Sequence, residues 1–369
     1  MDNSYAIINN KILCIGFNQN SSCFYIGTDN GFTIYKSDPL NDYYTRELEG
    51  GIGIISMFEN TNILAFVGGG KRPFAALNKL IIWNDATSKI LCEITENFRI
   101  INVKIKKSLI AIIGKKMIKI YYYDSLKNIV NYKNIDSIET PNNKNGIFDL
   151  NLDPNIHIIS YLSNNIGEIL IKIYDEPKRN KDITYKIKKI KAHNSDITYM
   201  ALNYKGDLLA SCSEKGTIIR LFSIKKEELI KELRRGTDYA EIYSLNFDKN
   251  SQYLICGSSK GTIHIFNVKE NEGVKNPKSY FSSIGSYLNI KNDYLQNEWS
   301  FAQYHIDCKG KNIATFVGED NNFVVITYNG MHYRSNFVTS KGGECSTLQK
   351  KDFLEININD DFFILINNF

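Results

Sequence analysis

The chain has 369 residues, of which 43% are hydrophobic and 23% charged, and its 45 basic and 40 acidic side chains leave a net charge of +5. This is ordinary globular composition with enough apolar residues for a sizeable core. The mild basic excess does not call for nucleic acid, but it leaves room for a local basic patch aimed at an anionic surface. No run of about 18 apolar residues is present, so no transmembrane helix is expected. The opening MDNSY has no basic region followed by an apolar run, so no signal peptide is expected either. Seven cysteines, an odd number without CxxC spacing, predict a reduced cytosolic protein without a metal site. Cys92, Cys212 and Cys256 sit inside apolar runs and read as small core residues.

In chain order the apolar runs are short, rich in Ile, Val, Tyr and Phe, and separated by Gly, Asn, Asp and Ser, which is the pattern of strands. One strand type recurs seven times, mostly with an aromatic end: GFTIY (31–35), KLIIW (79–83), MIKIY (117–121), EILIKIY (168–174), TIIRLF (217–222), TIHIF (262–266) and NFVVITY (322–328). The terminal aromatics are spaced from 38 residues (Trp83 to Tyr121) to 62 residues (Phe266 to Tyr328). Before most copies stands a second apolar strand, as in CFYIG (23–27), LAFVG (64–68), LIAII (109–113), LLASC (208–212), YLICG (253–257) and IATFV (313–317). A repeat of this length with several strands marks a propeller blade, and such blades must stack because one alone cannot bury both faces.

The expected fold is therefore all-β: a seven-bladed β-propeller of WD40-like repeats, forming one domain over 1–369. The expected blades are 11–50, 53–95, 100–138, 146–189, 193–233, 239–306 and 313–369, the fourth being the least repeat-like. A long insertion at 269–300 interrupts blade six before the next expected strand at 301–306. It mixes Lys269, Lys275 and Lys278 with Tyr280, Phe281, Ile284, Tyr287 and Leu288, a combination suited to a bilayer interface. The competing reading of this loop is one that folds back with its aromatics packed.

Between blades five and six lies Leu233-Arg234-Arg235-Gly236. On an extended strand, adjacent arginines point to opposite sides, and each offers a planar fork of donors to a phosphate. The flanking blades carry matching polar stretches, SEKGT (213–217) and SSKGT (258–262), so each arginine has a polar shell of its own. A phosphomonoester carries roughly −1.5 to −2 charges at neutral pH, which arginine meets with charge-assisted bonds and hydroxyls complete.

Taken in order, LAFVGGG (64–70) with Pro73, KLIIWND (79–85), KAH (191–193), SEKGT, the tandem arginines with their glycine, and GGEC (342–345) make the whole chain resemble the PROPPIN family of WD-repeat-like propellers. The family signature is Phe-Arg-Arg-Gly, and here its first position is Leu233. The resemblance implies two lipid pockets on the propeller rim that bind phosphatidylinositol 3-phosphate or phosphatidylinositol 3,5-bisphosphate, in autophagy and membrane traffic. By position, the first pocket takes His193, Ser213, Lys215, Thr217, Arg220 and Arg234. The second takes Arg235, Ser258, Ser259, Lys260, Thr262 and His264. Each residue also has a plainer role: His193 and His264 as hydrogen-bonding structural groups, Lys215 and Lys260 as solvated turn residues, Ser213 as a turn-backbone partner, and Arg220 as the partner of a carboxylate.

The resemblance further implies a cytoplasmic protein recruited peripherally to membranes bearing phosphatidylinositol 3-phosphate, with autophagy-type protein partners on blades two and three. Lys71-Arg72-Pro73-Phe74 occupies a blade-two loop of the kind that holds such partners in the family. No GxSxG, HExxH or phosphate-loop motif is present, so neither catalysis nor a cofactor is expected. Nucleic acid is not expected as a partner. The main competing function is a WD-repeat protein scaffold without a lipid role.

Overall fold

The structure, a computed structural model, describes residues 11–41, 43–123, 131–176, 182–269, 275–278, 297–308, 310–318 and 321–355. Among the described residues there is no helix, and the strands form seven sheets, giving a seven-bladed β-propeller. Contacts divide the chain into two compact units, one made of Met1–Gly146, Tyr174–Thr184 and Asp352–Phe369, the other of Ile147–Ile173 and Tyr185–Lys351.

The first unit holds blades one to three: Cys14–Phe17, Cys23–Thr28, Gly31–Lys36 and Tyr43–Glu47; then Ile52–Met57, Ile63–Gly68, Lys79–Asn84 and Lys89–Thr95; then Asn102–Lys106, Leu109–Ile113, Met117–Tyr122 and Lys133–Glu139. Within each blade the four strands pair antiparallel in chain order. The burial pattern explains the two apolar strands seen in the sequence. The second strands are mostly buried, Leu109–Ile113 along its whole length, because both sheet faces are covered, whereas outer strands such as Lys89–Thr95 alternate. One apolar cluster joins blades one and two through Phe32, Ile34, Phe66 and Trp83, and another joins blades two and three through Leu80, Ile82, Ile110 and Tyr121. Phe353 meets the rings of Phe24 and Tyr35 edge-on, each at 5.2 Å, while those two stack at 4.7 Å.

The second unit holds blades four to seven. Blade four, the least repeat-like in sequence, has the same architecture as the others: Phe148–Leu150, His157–Leu162, Glu168–Tyr174 and Tyr185–Lys191. Blade five consists of Ile197–Leu202, Leu208–Ser213, Ile218–Ser223 and Glu228–Arg234, and blade six of Ile242–Phe247, Tyr253–Ser258, Thr262–Asn267 and Ala302–His305. Blade seven uses Asn312–Val317, Asn322–Thr327, Met331–Asn336 and Ser346–Asp352. Blade one is thus built from 14–47 and blade seven from 312–352, and among the described residues neither borrows a strand from the other end of the chain.

Blades five and six each gain a fifth strand that the repeat pattern did not announce. Glu298–Trp299 runs parallel to the outer strand of blade five, with Glu298 opposite Leu233 and Trp299 opposite Arg234. Gly343–Glu344 runs parallel to the outer strand of blade six, opposite Ala302 and Gln303. The returning end of the 269–300 insertion is therefore fastened beside the tandem arginines before the chain enters the fourth strand of blade six. Blade five begins at Ile197 rather than at 193, because Ala192 and His193 bond back to the Gly167 carbonyl at 2.8 and 2.9 Å and the chain turns there.

Candidate functional site

Leu233 and Arg234 end the outer strand of blade five, and Arg235 follows directly after it. Leu233 is fully buried and packs among Ile219, Leu221, Ile242, Leu245 and Leu254, the apolar seam of blades five and six. The residue that departs from the family signature is thus a core residue beneath the site, with no polar atom to offer a ligand. Arg234 is 7% exposed and lies opposite Ile218, and its Nη1 donates to the Gly236 carbonyl at 3.5 Å. Arg235 is 5% exposed, and its backbone N–H donates to the Thr217 carbonyl at 2.9 Å. Its Nε donates to the Gly216 carbonyl at 2.8 Å, and its Nη2 donates to the Asp238 carbonyl. Burial, the largest influence, lowers the pKa of Arg235, and the nearby Asp238 carboxylate works against that shift.

The turn that receives Arg235 requires a glycine. Gly216 has φ +61, and a Cβ there would meet the Ala240 carbonyl oxygen at 1.9 Å. Gly236, although it follows the arginines directly, is not among the positive-φ glycines, and a Cβ there would meet nothing within 4 Å. The space beside the arginines is open at that point. Gly236→Ala is therefore expected to shift stability by less than about 0.5 kcal/mol. Gly216→Ala is expected to cost at least about 2 kcal/mol and to move the carbonyl that orients Arg235. Urea midpoints of the two variants, compared side by side, check this contrast.

The other residues assigned to the first pocket divide into two groups. His193 is buried, its Nε2 lies 3.0 Å from Ser211 Oγ, and Arg220 is the charge that most affects it. Arg220 itself is engaged: its Nε donates to Glu232 Oε1 at 2.6 Å, and its Nη1 donates to the Ala192 carbonyl at 2.8 Å. It serves as a cross-strand ion pair within blade five, the plainer of its two roles. Ser213, Lys215 and Thr217 lie along the turn between the second and third strands; Ser213 and Thr217 are half-buried and Lys215 is exposed. The Ser213 carbonyl accepts from Gly216 N–H at 2.9 Å. Thr217, assigned to the pocket of Arg234, is joined through its backbone to Arg235.

In the second pocket, His264 is buried, its Nδ1 lies 3.2 Å from Ser300 Oγ, and Arg235 is its leading charged neighbour. Ser258 is fully buried, and Ser259 Oγ accepts from the Glu241 N–H at 3.1 Å. Lys260 is exposed at the turn, and the half-buried Thr262 stands opposite His305. Ser300 also accepts from Gln303 Nε2 at 2.9 Å. Ser211, Ser300 and Gln303, which orient the two histidines, were not identified from the sequence. Ser211 lies two residues before Ser213 on one strand, a period-two signal that was available. Ser300 and Gln303 lie beyond the insertion, out of reach of local pattern. Tyr280, Phe281, Ile284, Tyr287 and Leu288, assigned to membrane insertion, lie outside the described residues.

Burial first, and then the neighbouring arginine, pushes His193 down to about 4 and His264 down to about 3. Both rings are therefore neutral near pH 7, leaving the arginines and lysines to meet an anion. The same shifts have a sign for stability. Above pH 6.5 both rings are neutral whether the chain is folded or not. As the pH falls from 6.5 toward 4 for His193 and toward 3 for His264, the unfolded chain takes up protons that the folded chain refuses, so stability falls. At the acid limit the loss is on the order of 3 kcal/mol for His193 and on the order of 5 kcal/mol for His264. Urea midpoints measured between pH 7 and pH 5 are expected to decline, and the decline should be shallower in His264→Asn.

Seven blades of four strands in chain order, two of them with a short added fifth, and two arginines where the fifth blade leads into the sixth, define the class, a WD-repeat-like propeller. The chain belongs to the PROPPIN family, whose sequence model matches residues 11–354. Among curated relatives, SVP1-like protein 2 of Pichia angusta is 32% identical over 303 residues, covering 81% of each chain. Autophagy-related protein 18e of Arabidopsis thaliana is 30% identical over 352 residues, covering 94% of this chain and 89% of that one. Among solved structures, Hsv2 of Kluyveromyces lactis superposes with a TM-score of 0.73 at 22% identity, covering 94% of this chain and 100% of that chain. A complex of KlAtg21 with the coiled-coil of AgAtg16 gives a TM-score of 0.71 at 24% identity, covering 93% and 99%.

Proposed function

We propose that this chain, as one propeller domain over 1–369, is a peripheral membrane scaffold that recognises phosphatidylinositol 3-phosphate or phosphatidylinositol 3,5-bisphosphate through two rim pockets flanking Arg234 and Arg235. The observation that carries this reading is the contrast between Arg220 and Arg235. Arg220 is neutralised by Glu232, whereas Arg235 donates only to main-chain carbonyls, and no carboxylate forms an ion pair with it among the described residues. A guanidinium held by neutral carbonyls, with the Asp238 carboxylate near but not paired to it, keeps most of its charge for an incoming phosphate. The open space at Gly236 gives the approach. Ser213, Lys215 and Thr217 on one side, and Ser259, Lys260 and Thr262 on the other, supply further donors at the same rim. Ser258 acts from beneath as part of the buried wall.

Membership of the PROPPIN family supports the reading, as do relatives named autophagy-related protein 18. The protein's work is binding and recruitment rather than catalysis. It acts from the cytoplasm on autophagosomal, endosomal or vacuolar membranes. Its protein partners, of the kind exemplified by the Atg21–Atg16 complex, dock on blades two and three. There Lys71 and Arg72 are exposed in a loop whose backbone is held by Gly51 and Asp29. Flotation with vesicles that differ only in the phosphoinositide tests the lipid reading. Binding that is equal with and without a 3-phosphate headgroup would favour a scaffold that holds proteins alone.

A further inference from the structure

The insertion of blade six leaves and re-enters the described structure at one place. There, Lys231, Asn267, Lys269, Lys275, Asn276, Lys278 and Glu298 surround a cavity of about 40 Å³. Its wall is built rather than loose. Asn276 is buried, and its side chain accepts from the Asn267 N–H at 2.7 Å while its Nδ2 donates to the Asn267 carbonyl at 2.7 Å. The same Nδ2 donates to Glu298 Oε2 at 2.8 Å, and Lys231 Nζ lies 3.1 Å from that oxygen. Trp299 N–H donates to the Pro277 carbonyl at 2.7 Å, joining the two ends of the insertion. Around this frame stand four lysines against one glutamate. Glu298 neutralises Lys231, while Lys275 and Lys278 are exposed and form no ion pair among the described residues.

We infer that this neck is a third anion site, separate from the two pockets beside the arginines, and that it takes a phosphate group. One water needs roughly 10–15 Å³ of such space, so the cavity has room for about three water-sized groups, enough for the free oxygens of one phosphate. Lysine suits the task as a mobile point charge that does not demand a bidentate fit. The position suits it too. Lys231 precedes Arg234 by three residues on one strand, about 10 Å along it, and Glu298 is paired opposite Leu233. The neck thus lies within about 10 Å of the arginines along the strand. The phosphate comes from an anionic lipid headgroup or from solution; the lipid source rests on the proposed function, and the soluble source does not.

The test uses the full chain in an Arg234→Thr/Arg235→Thr background, so that the two rim pockets are silent. Two probes are read: partition onto phosphatidylcholine vesicles containing phosphatidic acid but no phosphoinositide, and broadening of the phosphorus resonance of inorganic phosphate. Lys275→Ala/Lys278→Ala is expected to lower vesicle partition about tenfold and to remove the broadening. The control pair Lys225→Ala/Lys226→Ala, exposed lysines in the turn before the same outer strand, is expected to change neither. A response of the vesicles assigns the headgroup, and a response of inorganic phosphate alone assigns the soluble anion. The inference is overturned if neither probe responds to the neck pair, or if the control pair lowers both as much. Because the background already lacks the arginines, failure here leaves the rim pockets untouched, and their failure leaves the neck testable with inorganic phosphate.

Discussion

Changing Arg234 and Arg235 together to threonine is expected to lower binding to vesicles bearing phosphatidylinositol 3-phosphate about 100-fold. In the proposed reading, two weak sites share one rim: once one headgroup is held, the second would bind at high effective concentration, so avidity would exceed either affinity by roughly 10²–10⁴. Either single replacement removes one contact and is expected to cost about tenfold, leaving a measurable residue. The distinction from misfolding matters because both side chains are nearly buried and Arg235 makes bonds to Gly216 and Asp238. Losing those bonds costs about 1–3 kcal/mol, which leaves most of a typical domain folded. Flotation is therefore to be read beside a urea midpoint. A double variant that keeps a cooperative transition and still floats as well as the parent would end the phosphoinositide reading.

Leu233→Ala is expected to be the most damaging change at the site for stability, by about 2–5 kcal/mol. Its side chain is fully buried where two blades share a core with Ile219, Ile242, Leu245 and Leu254, so truncation leaves a cavity on the seam itself. Leu233→Phe, which restores the family signature, adds volume to a packed seam and is expected to cost about 1–3 kcal/mol. Its lipid binding should equal that of the parent under conditions in which both are folded, since residue 233 offers the ligand nothing. Urea denaturation and flotation of the same two variants check both halves. A loss of lipid binding in folded Leu233→Phe would mean that the seam, and not only the arginines, shapes the pockets.

The blades were legible because the third strand of each repeat ends mostly in an aromatic and the second strand is apolar throughout, and both traits follow from burial between neighbouring blades. The tandem arginines and the polar turns at 213–217 and 258–262 were legible for the same reason: repeats can be aligned, and what departs from the alignment stands out. Partners were not legible. Glu232 meets Arg220 across two strands whose register shifts by a bulge between Leu221 and Phe222, and no spacing in the sequence encodes that shift. Ser300 and Gln303 reach His264 only after a long insertion has closed. Glu298–Trp299 is two residues long, too short for any periodicity to register. Gly236 taught the reverse lesson: a glycine in a motif invites a turn, yet here it leaves room rather than bending the chain.

The short fifth strands on blades five and six have a consequence for crowding. A bare outer strand is a row of unpaired main-chain groups onto which another molecule's strand can add. On the proposed membrane reading, a protein concentrated on a bilayer meets copies of itself constantly, and a bare strand edge is where they would join. Here Glu298–Trp299 and Gly343–Glu344 occupy the main-chain positions beside Leu233–Arg234 and Ala302–Gln303. The blades that carry the arginines are thereby closed to lateral strand addition at those positions, and a dense film of the protein on vesicles is expected to stay free of edge-to-edge fibres along that rim.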